Sequence, residues 1–217
     1  VAQVARPARP DYPQIGEHLR ARRHELGLSL RDLADRLGVS PSLISQIERG
    51  RANPSVSTLY QLVAELDVSL DELLFEDRTD RADRREPEAP AAGGPVQRAT
   101  ERHRIRLASG VIWERLTTLS EPGIEFLYVI YEVGGASSPE DAFQRHNGHE
   151  WGYVLSGTLQ VTVGFRQYLL EAGDSLSLES TTPHRLANVG DTPVHAIWFV
   201  LGRDAHDAAL RDSREPG

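Results

Sequence analysis

Two apolar stripes separated by a single glycine constrain this chain more than any other feature. In the run SLRDLADRLGVSPSLISQIERG, residues 29–50, Leu30, Leu33, Ala34 and Leu37 recur at the spacing of one helix face. Ser29 with Asp32 has the form of a capping box, with Asp in the place of Glu, and Gly38 supplies the left-handed residue that ends a helix. Ser40 is an N-cap and Pro41 takes the first helical position, where a missing N–H costs nothing. Leu43, Ile44 and Ile47 then form a second buried stripe, closed by Gly50. Two short amphipathic helices around a tight turn follow.

The outward residues of the second helix are Ser42, Ser45, Gln46 and Arg49. Gln pairs with adenine through two hydrogen bonds, and Arg suits guanine or phosphate, so this face fits base edges and backbone in a major groove. Arg31, Ser40 and Arg51 complete the set of expected DNA contacts. Ile15, Leu19 and Leu26 mark a preceding helix; Leu59, Leu62, Val63 and Leu66 mark a following one after Asn53-Pro54. A second capping box, Ser69 to Glu72, opens a last helix through Leu73, Leu74 and Phe75, giving five helices within 13–76. The run from Gly16 to Leu74 resembles the XRE family of repressor-like helix-turn-helix domains, which implies a double-stranded DNA operator as partner.

Charge is distributed in keeping with that role. The chain holds 24 basic and 32 acidic residues, a net charge of −8. Residues 13–51, however, carry seven Arg against five carboxylates, and residues 52–76 none against five. The positive potential is gathered on the helix-turn-helix half, and its modest excess predicts a dimer on two half-sites. Lys is absent, which we read as compositional bias. Zero Cys excludes disulfides and zinc–thiolate sites, so any metal must be held by His, carboxylate or amide. No run approaches the ~18 apolar residues of a membrane span, and the first residues lack a leader's apolar core, so a cytoplasmic protein without a membrane partner is expected.

Residues 77–100 are charged, then rich in Ala, Pro and Gly, and read as a linker that lets two domains move somewhat independently. The second half, 101–202, changes period. Short β-rich runs, Gly110 to Thr117, Ile124 to Glu132, Tyr153 to Leu155, Thr158 to Val163, Arg166 to Leu170 and Val194 to Leu201, alternate with turn signals such as Glu121-Pro122-Gly123 and Ala172-Gly173-Asp174. Residues 203–217 form a charged tail. The expected fold is thus α+β in two domains, an all-α helix-turn-helix domain and an all-β antiparallel sandwich or jelly roll.

Within the β-rich half, His146 precedes Glu150 by four residues, Glu150 precedes Gly157 by seven, and His184 precedes Asn188 by four, with Gly173-Asp174 between them. These spacings resemble the two motifs of the cupin family, a double-stranded β-helix barrel. The resemblance implies His146, Glu150 and His184 as ligands of a divalent metal, with Fe, Zn, Ni and Mn all open. Gln144 stands where metal-binding cupins have a further His, and is a fourth candidate; Glu171 replaces the usual Pro. Tyr128, Gln144, Trp151 and His195 are expected to line a small-molecule pocket, His195 because it alternates with Ile197 and Phe199.

The reading is a ligand-responsive transcriptional regulator, a repressor, whose barrels pair to form a homodimer and sense an unidentified small-molecule effector. The competing reading is enzymatic. The chain is also similar to hydroxypropylphosphonate epoxidases, which join a helix-turn-helix domain to a cupin, and the trio suits a non-haem iron oxygenase. The intact outward face of the helix-turn-helix weighs against it.

Overall fold

The computed structural model describes residues 13–68, 70, 73, 94–118 and 123–202. Among the described residues, four α-helices and a short 3-10 helix (Ala99–Glu101) precede nine strands. The helices are α1 (Pro13–Glu25), α2 (Leu30–Leu37), α3 (Pro41–Glu48) and α4 (Val56–Leu66). The described domain therefore has four helices where five were expected. The last, expected through 69–75, lies mainly outside the described residues, although Leu70 and Leu73 are helical and buried.

Local chemistry sets the helix ends. The Ser29 hydroxyl accepts from the Asp32 N–H and the Asp32 carboxylate accepts from the Ser29 N–H, a complete capping box. Gly38 ends α2 at φ 66°, left-handed backbone that a side chain would strain. Ser40 and Ser55 cap α3 and α4 in the same manner, each accepting a backbone N–H three residues on. Leu19, Leu33, Ala34, Ile44, Leu59, Leu62 and Leu66 close the helical core. Leu26, expected to mark the inward face of α1, is a correction: it lies past the helix end and is exposed.

The strands are β1 (Arg104–Arg106), β2 (Val111–Arg115), β3 (Ile124–Tyr131), β4 (His149–Ser156), β5 (Leu159–Val163), β6 (Arg166–Leu170), β7 (Ser175–Glu179), β8 (His184–Asn188) and β9 (Val194–Leu201). They form a six-stranded sheet in the order β1-β2-β3-β9-β4-β7 and a three-stranded sheet in the order β6-β5-β8, all antiparallel. Inward positions alternate with outward ones as the pleat requires. On β9, Val194, Ala196, Trp198 and Val200 point in; on β3, Leu127, Val129 and Tyr131 do so.

The two halves are in contact across an interdomain interface. The helical domain sits on the barrel, and buried residues of both form one continuous apolar cluster. The Ser57 N–H donates to the Ser137 carbonyl at 3.1 Å, the Ala108 N–H to the Pro54 carbonyl at 3.0 Å, and the Tyr60 hydroxyl to Glu125 at 2.8 Å. Residues 77–93, where independence was expected to arise, lie outside the described residues. Contact is made by α4 and by the Pro54 loop, which packs against Ile105 and Leu107 of the barrel as well as against the helices.

Candidate functional site

The barrel brings together the three residues that its spacing singled out. Glu150 points inward from β4, His184 opens β8, and His146 lies on the approach to β4. His146 Nε2 lies 2.9 Å and His184 Nε2 3.1 Å from the same oxygen, Glu150 Oε1, and all three side chains are almost wholly buried. The other oxygen, Oε2, accepts the Trp198 indole N–H at 2.6 Å. Gly152, two residues beyond Glu150 on β4 and registered against Trp198 of β9, makes room for the indole: a Cβ there would collide with the ring.

The donor set fits a cation. His184 Nδ1 faces the Thr182 carbonyl at 2.8 Å and His146 Nδ1 the Asn147 carbonyl at 3.3 Å. A ring that donates through Nδ1 turns the lone pair of Nε2 toward the centre. Three acceptor atoms then converge, and His146 Nε2, Glu150 Oε1 and His184 Nε2 are buried without a properly directed hydrogen bond. Such an arrangement needs a positive charge, either a proton or a metal ion. Burial disfavours the Glu150 carboxylate, but His146 and His184 outweigh it and hold its pKa well below the usual range. Burial likewise opposes charge on His146, yet Glu150 prevails and raises that pKa. Gln144 is hydrogen-bonded through its backbone to His184, and its buried Oε1 lacks a hydrogen bond.

Beside the trio is a cavity of about 20 Å³, room for about one water, lined by Gln144, Glu150, Trp113, Tyr131 and Trp198 and, from α4, by Val56 and Tyr60. Of the four expected pocket residues only Gln144 reaches it. Tyr128, Trp151 and His195 are corrections: they lie on the outer face of the six-stranded sheet, where the Tyr128 hydroxyl bonds His195 Nδ1 at 2.9 Å. The alternation of His195 with Ile197 and Phe199 was real, but the opposite set, Ala196 and Trp198, faces in. The strand's period marks two faces and leaves open which is inner when both are apolar.

On the helical domain Ser40, Ser42, Gln46, Arg49, Arg31 and Arg51 are exposed and Ser45 is half-buried. The Ser40 hydroxyl is engaged as the α3 cap, and the Gln46 amide donates to the Ser42 hydroxyl at 3.2 Å. Arg31, Ser45 and Arg49 line one shallow cleft together with Arg20 of α1, which the sequence reading did not select. Beneath the cleft Arg23 and Glu48 form a buried bidentate ion pair, 2.6 and 2.9 Å, that ties α1 to the end of α3. Neither residue stood out in sequence, since each is one charge among many on short helices.

Fold and site together define a helix-turn-helix domain joined to a cupin barrel, the architecture of DNA-binding transcriptional regulators. Residues 19–73 match the helix-turn-helix family model and residues 127–200 the cupin domain model. The chain is 29% identical over 173 residues to the HTH-type transcriptional regulator PuuR of Escherichia coli, covering 80% of this chain and 86% of that one. It is 44% identical over 63 residues to the HTH-type transcriptional regulator SinR of Bacillus subtilis, 29% of this chain and 57% of SinR. The crystal structure of an HTH_3 family transcriptional regulator from Vibrio cholerae shares the fold, with a TM-score of 0.60 at 20% identity over 87% of this chain and 95% of that one. No helix among the described residues is long and apolar enough to cross a membrane.

Proposed function

We propose that this chain is a sequence-specific, ligand-responsive transcriptional regulator, a cytoplasmic repressor that binds its operator as a homodimer. The observation that carries the reading is the pairing in one chain of an exposed polar α3 face, flanked by Arg20, Arg31 and Arg49, with a barrel whose buried donors converge on one point. The helix-turn-helix occupies 13–76, the linker 77–100 and the sensor barrel 101–202, with a tail over 203–217. Ser42, Ser45 and Gln46 read base edges; Arg31, Arg49 and Arg51 hold phosphates.

In the barrel, His146, Glu150 and His184 would hold a divalent metal, with Gln144 Oε1 beside them. Such an ion supplies a Lewis-acid anchor for an effector's oxygen or nitrogen. The dimer is supported by the outer sheet face, where Phe126, Phe199 and Trp151 are registered across β3, β9 and β4, with Tyr153 next to them. Exposed aromatic rows of this kind mark protein interfaces.

The second reading, an iron oxygenase, draws on the same two-His, one-carboxylate donor set. A cavity of about 20 Å³ leaves no room for an organic substrate beside the trio while α4 is docked. Binding of the purified chain to DNA from its own gene neighbourhood, against random competitor at two salt concentrations, tests the regulator. Saturable, selective binding is expected. Uniform weak binding, with oxygen consumed by the iron-loaded protein, would favour the oxygenase.

A further inference from the structure

The wall that closes the barrel cavity belongs to the DNA-binding domain. Tyr60 reaches from α4 across the barrel mouth, and its ring lies parallel to that of His146, with centroids 3.9 Å apart and planes 6° from parallel. It packs edge-to-face with Trp113, ring centroids 5.8 Å apart, its hydroxyl donates to Glu125 at 2.8 Å, and it is only 8% exposed. A phenol ring is therefore stacked, edge-packed and hydrogen-bonded inside a barrel to which it does not belong. These are the contacts by which a protein holds a small aromatic ligand.

We propose that Tyr60 holds the place of the effector, and that the effector is a small planar ring compound with a hydrogen-bond donor, bound between His146, Trp113 and Glu125. This rests on the reading of the barrel as an effector site and adds the ligand's class and its means of action. A free ring and the Tyr60 ring cannot share the site, so ligand binding and docking of α4 exclude one another. Because Leu59, Leu62 and Leu66 bury α4 in the helical core with Leu33 and Ile44, expulsion of Tyr60 moves the reading helix with it. The ligand's differential affinity for the undocked arrangement then shifts the domain equilibrium.

The probe is p-cresol, the side chain of tyrosine as a free molecule, titrated into the full-length protein and its Tyr60→Ala and Tyr60→Phe variants. Binding is read from the ring-proton resonances of His146 and His184, and docking from amide exchange at Ser57 and Ala108, whose hydrogen bonds cross the domains. Tyr60→Ala should bind p-cresol at least tenfold more tightly than the parent protein, whereas Tyr60→Phe, which keeps the ring, should resemble the parent. Saturating the parent should speed exchange at Ser57 and Ala108 at least tenfold without changing that at Leu33 or Val161. Equal binding by parent and Tyr60→Ala, or none by a folded Tyr60→Ala, would overturn the proposal. Should Tyr60→Ala not fold, Glu125→Ala removes the hydroxyl's partner from the barrel side; faster exchange at Ser57 supports the proposal, and unchanged exchange contradicts it. None of these readouts involves DNA, so failure to find an operator leaves the result intact, and the reverse also holds.

Discussion

The Trp198 indole N–H holds one oxygen of Glu150 at 2.6 Å while the other faces both His146 and His184. One carboxylate oxygen is thereby reserved for orientation and one for a cation. Partners that orient a ligand in this way typically matter by about 10- to 100-fold in metal affinity. Trp198→Phe keeps most of the ring and removes the donor, so Co²⁺ affinity should fall by about that factor. Competition titration against a chromophoric chelator measures it; unchanged affinity would show that Glu150 is oriented by packing alone.

Protons and metal compete for the same atoms in the trio. The pKa of His146 is raised, so its proton must leave before its Nε2 can bind a metal. Affinity for Co²⁺ should therefore fall as pH drops below that raised value, by about tenfold per pH unit for one displaced proton, and level off above it. Isothermal titration across pH 5 to 8 reads the slope; a flat profile would mean that His146 is not a ligand.

The Arg23–Glu48 pair is buried, with each side chain 5% exposed. Removing Arg23 alone leaves a buried carboxylate unpaired, and Arg23→Met should cost about 3–5 kcal/mol of stability. The double variant Arg23→Met with Glu48→Met replaces both charges by apolar chains and should recover most of that loss. Urea unfolding of the four proteins gives the coupling, and additive losses would show that the two charges act independently.

On DNA, Gln46→Ala should lower preference for the operator more than affinity for random sequence, because an amide reads bases. Arg20→Ala and Arg49→Ala should weaken both and reduce the salt slope by about one charge each. Equal loss on both DNAs for Gln46→Ala removes it from the reading set.

Association should depend on the outer aromatic face. Trp151→Arg places a charge within the registered row of Phe126, Phe199 and Trp151 and should convert the proposed dimer to monomer in analytical ultracentrifugation, with helix and strand content unchanged. A monomeric parent protein would exclude this interface.

Much of this molecule was legible beforehand, for identifiable reasons. The caps at Ser29 and Ser40, the Gly38 turn and the Leu33 and Ile44 stripes are local, and backbone chemistry within a few residues determines them. The strands Ile124–Tyr131 and Val194–Leu201 are long enough for their period to show. Strand β1, three residues long, and β8, His184–Asn188, carry too little apolar pattern to be seen. Spacing resembling cupin motifs pointed to His146, Glu150 and His184, although 34 residues separate Glu150 from His184.

The sequence alone determined the helix-turn-helix and the change to strands, since these rest on spacing along the chain and on residue chemistry, and a resemblance to cupin motifs singled out His146, Glu150 and His184. Tertiary structure decided the rest. Tyr128, Trp151 and His195 look outward because closure of the barrel, rather than strand period, chooses the inner face. Tyr60 enters the barrel because α4 docks there, a contact between residues 86 positions apart (Tyr60 and His146) that no local pattern encodes. Packing between domains is a global minimum over many weak apolar contacts, and it becomes visible only when both surfaces exist.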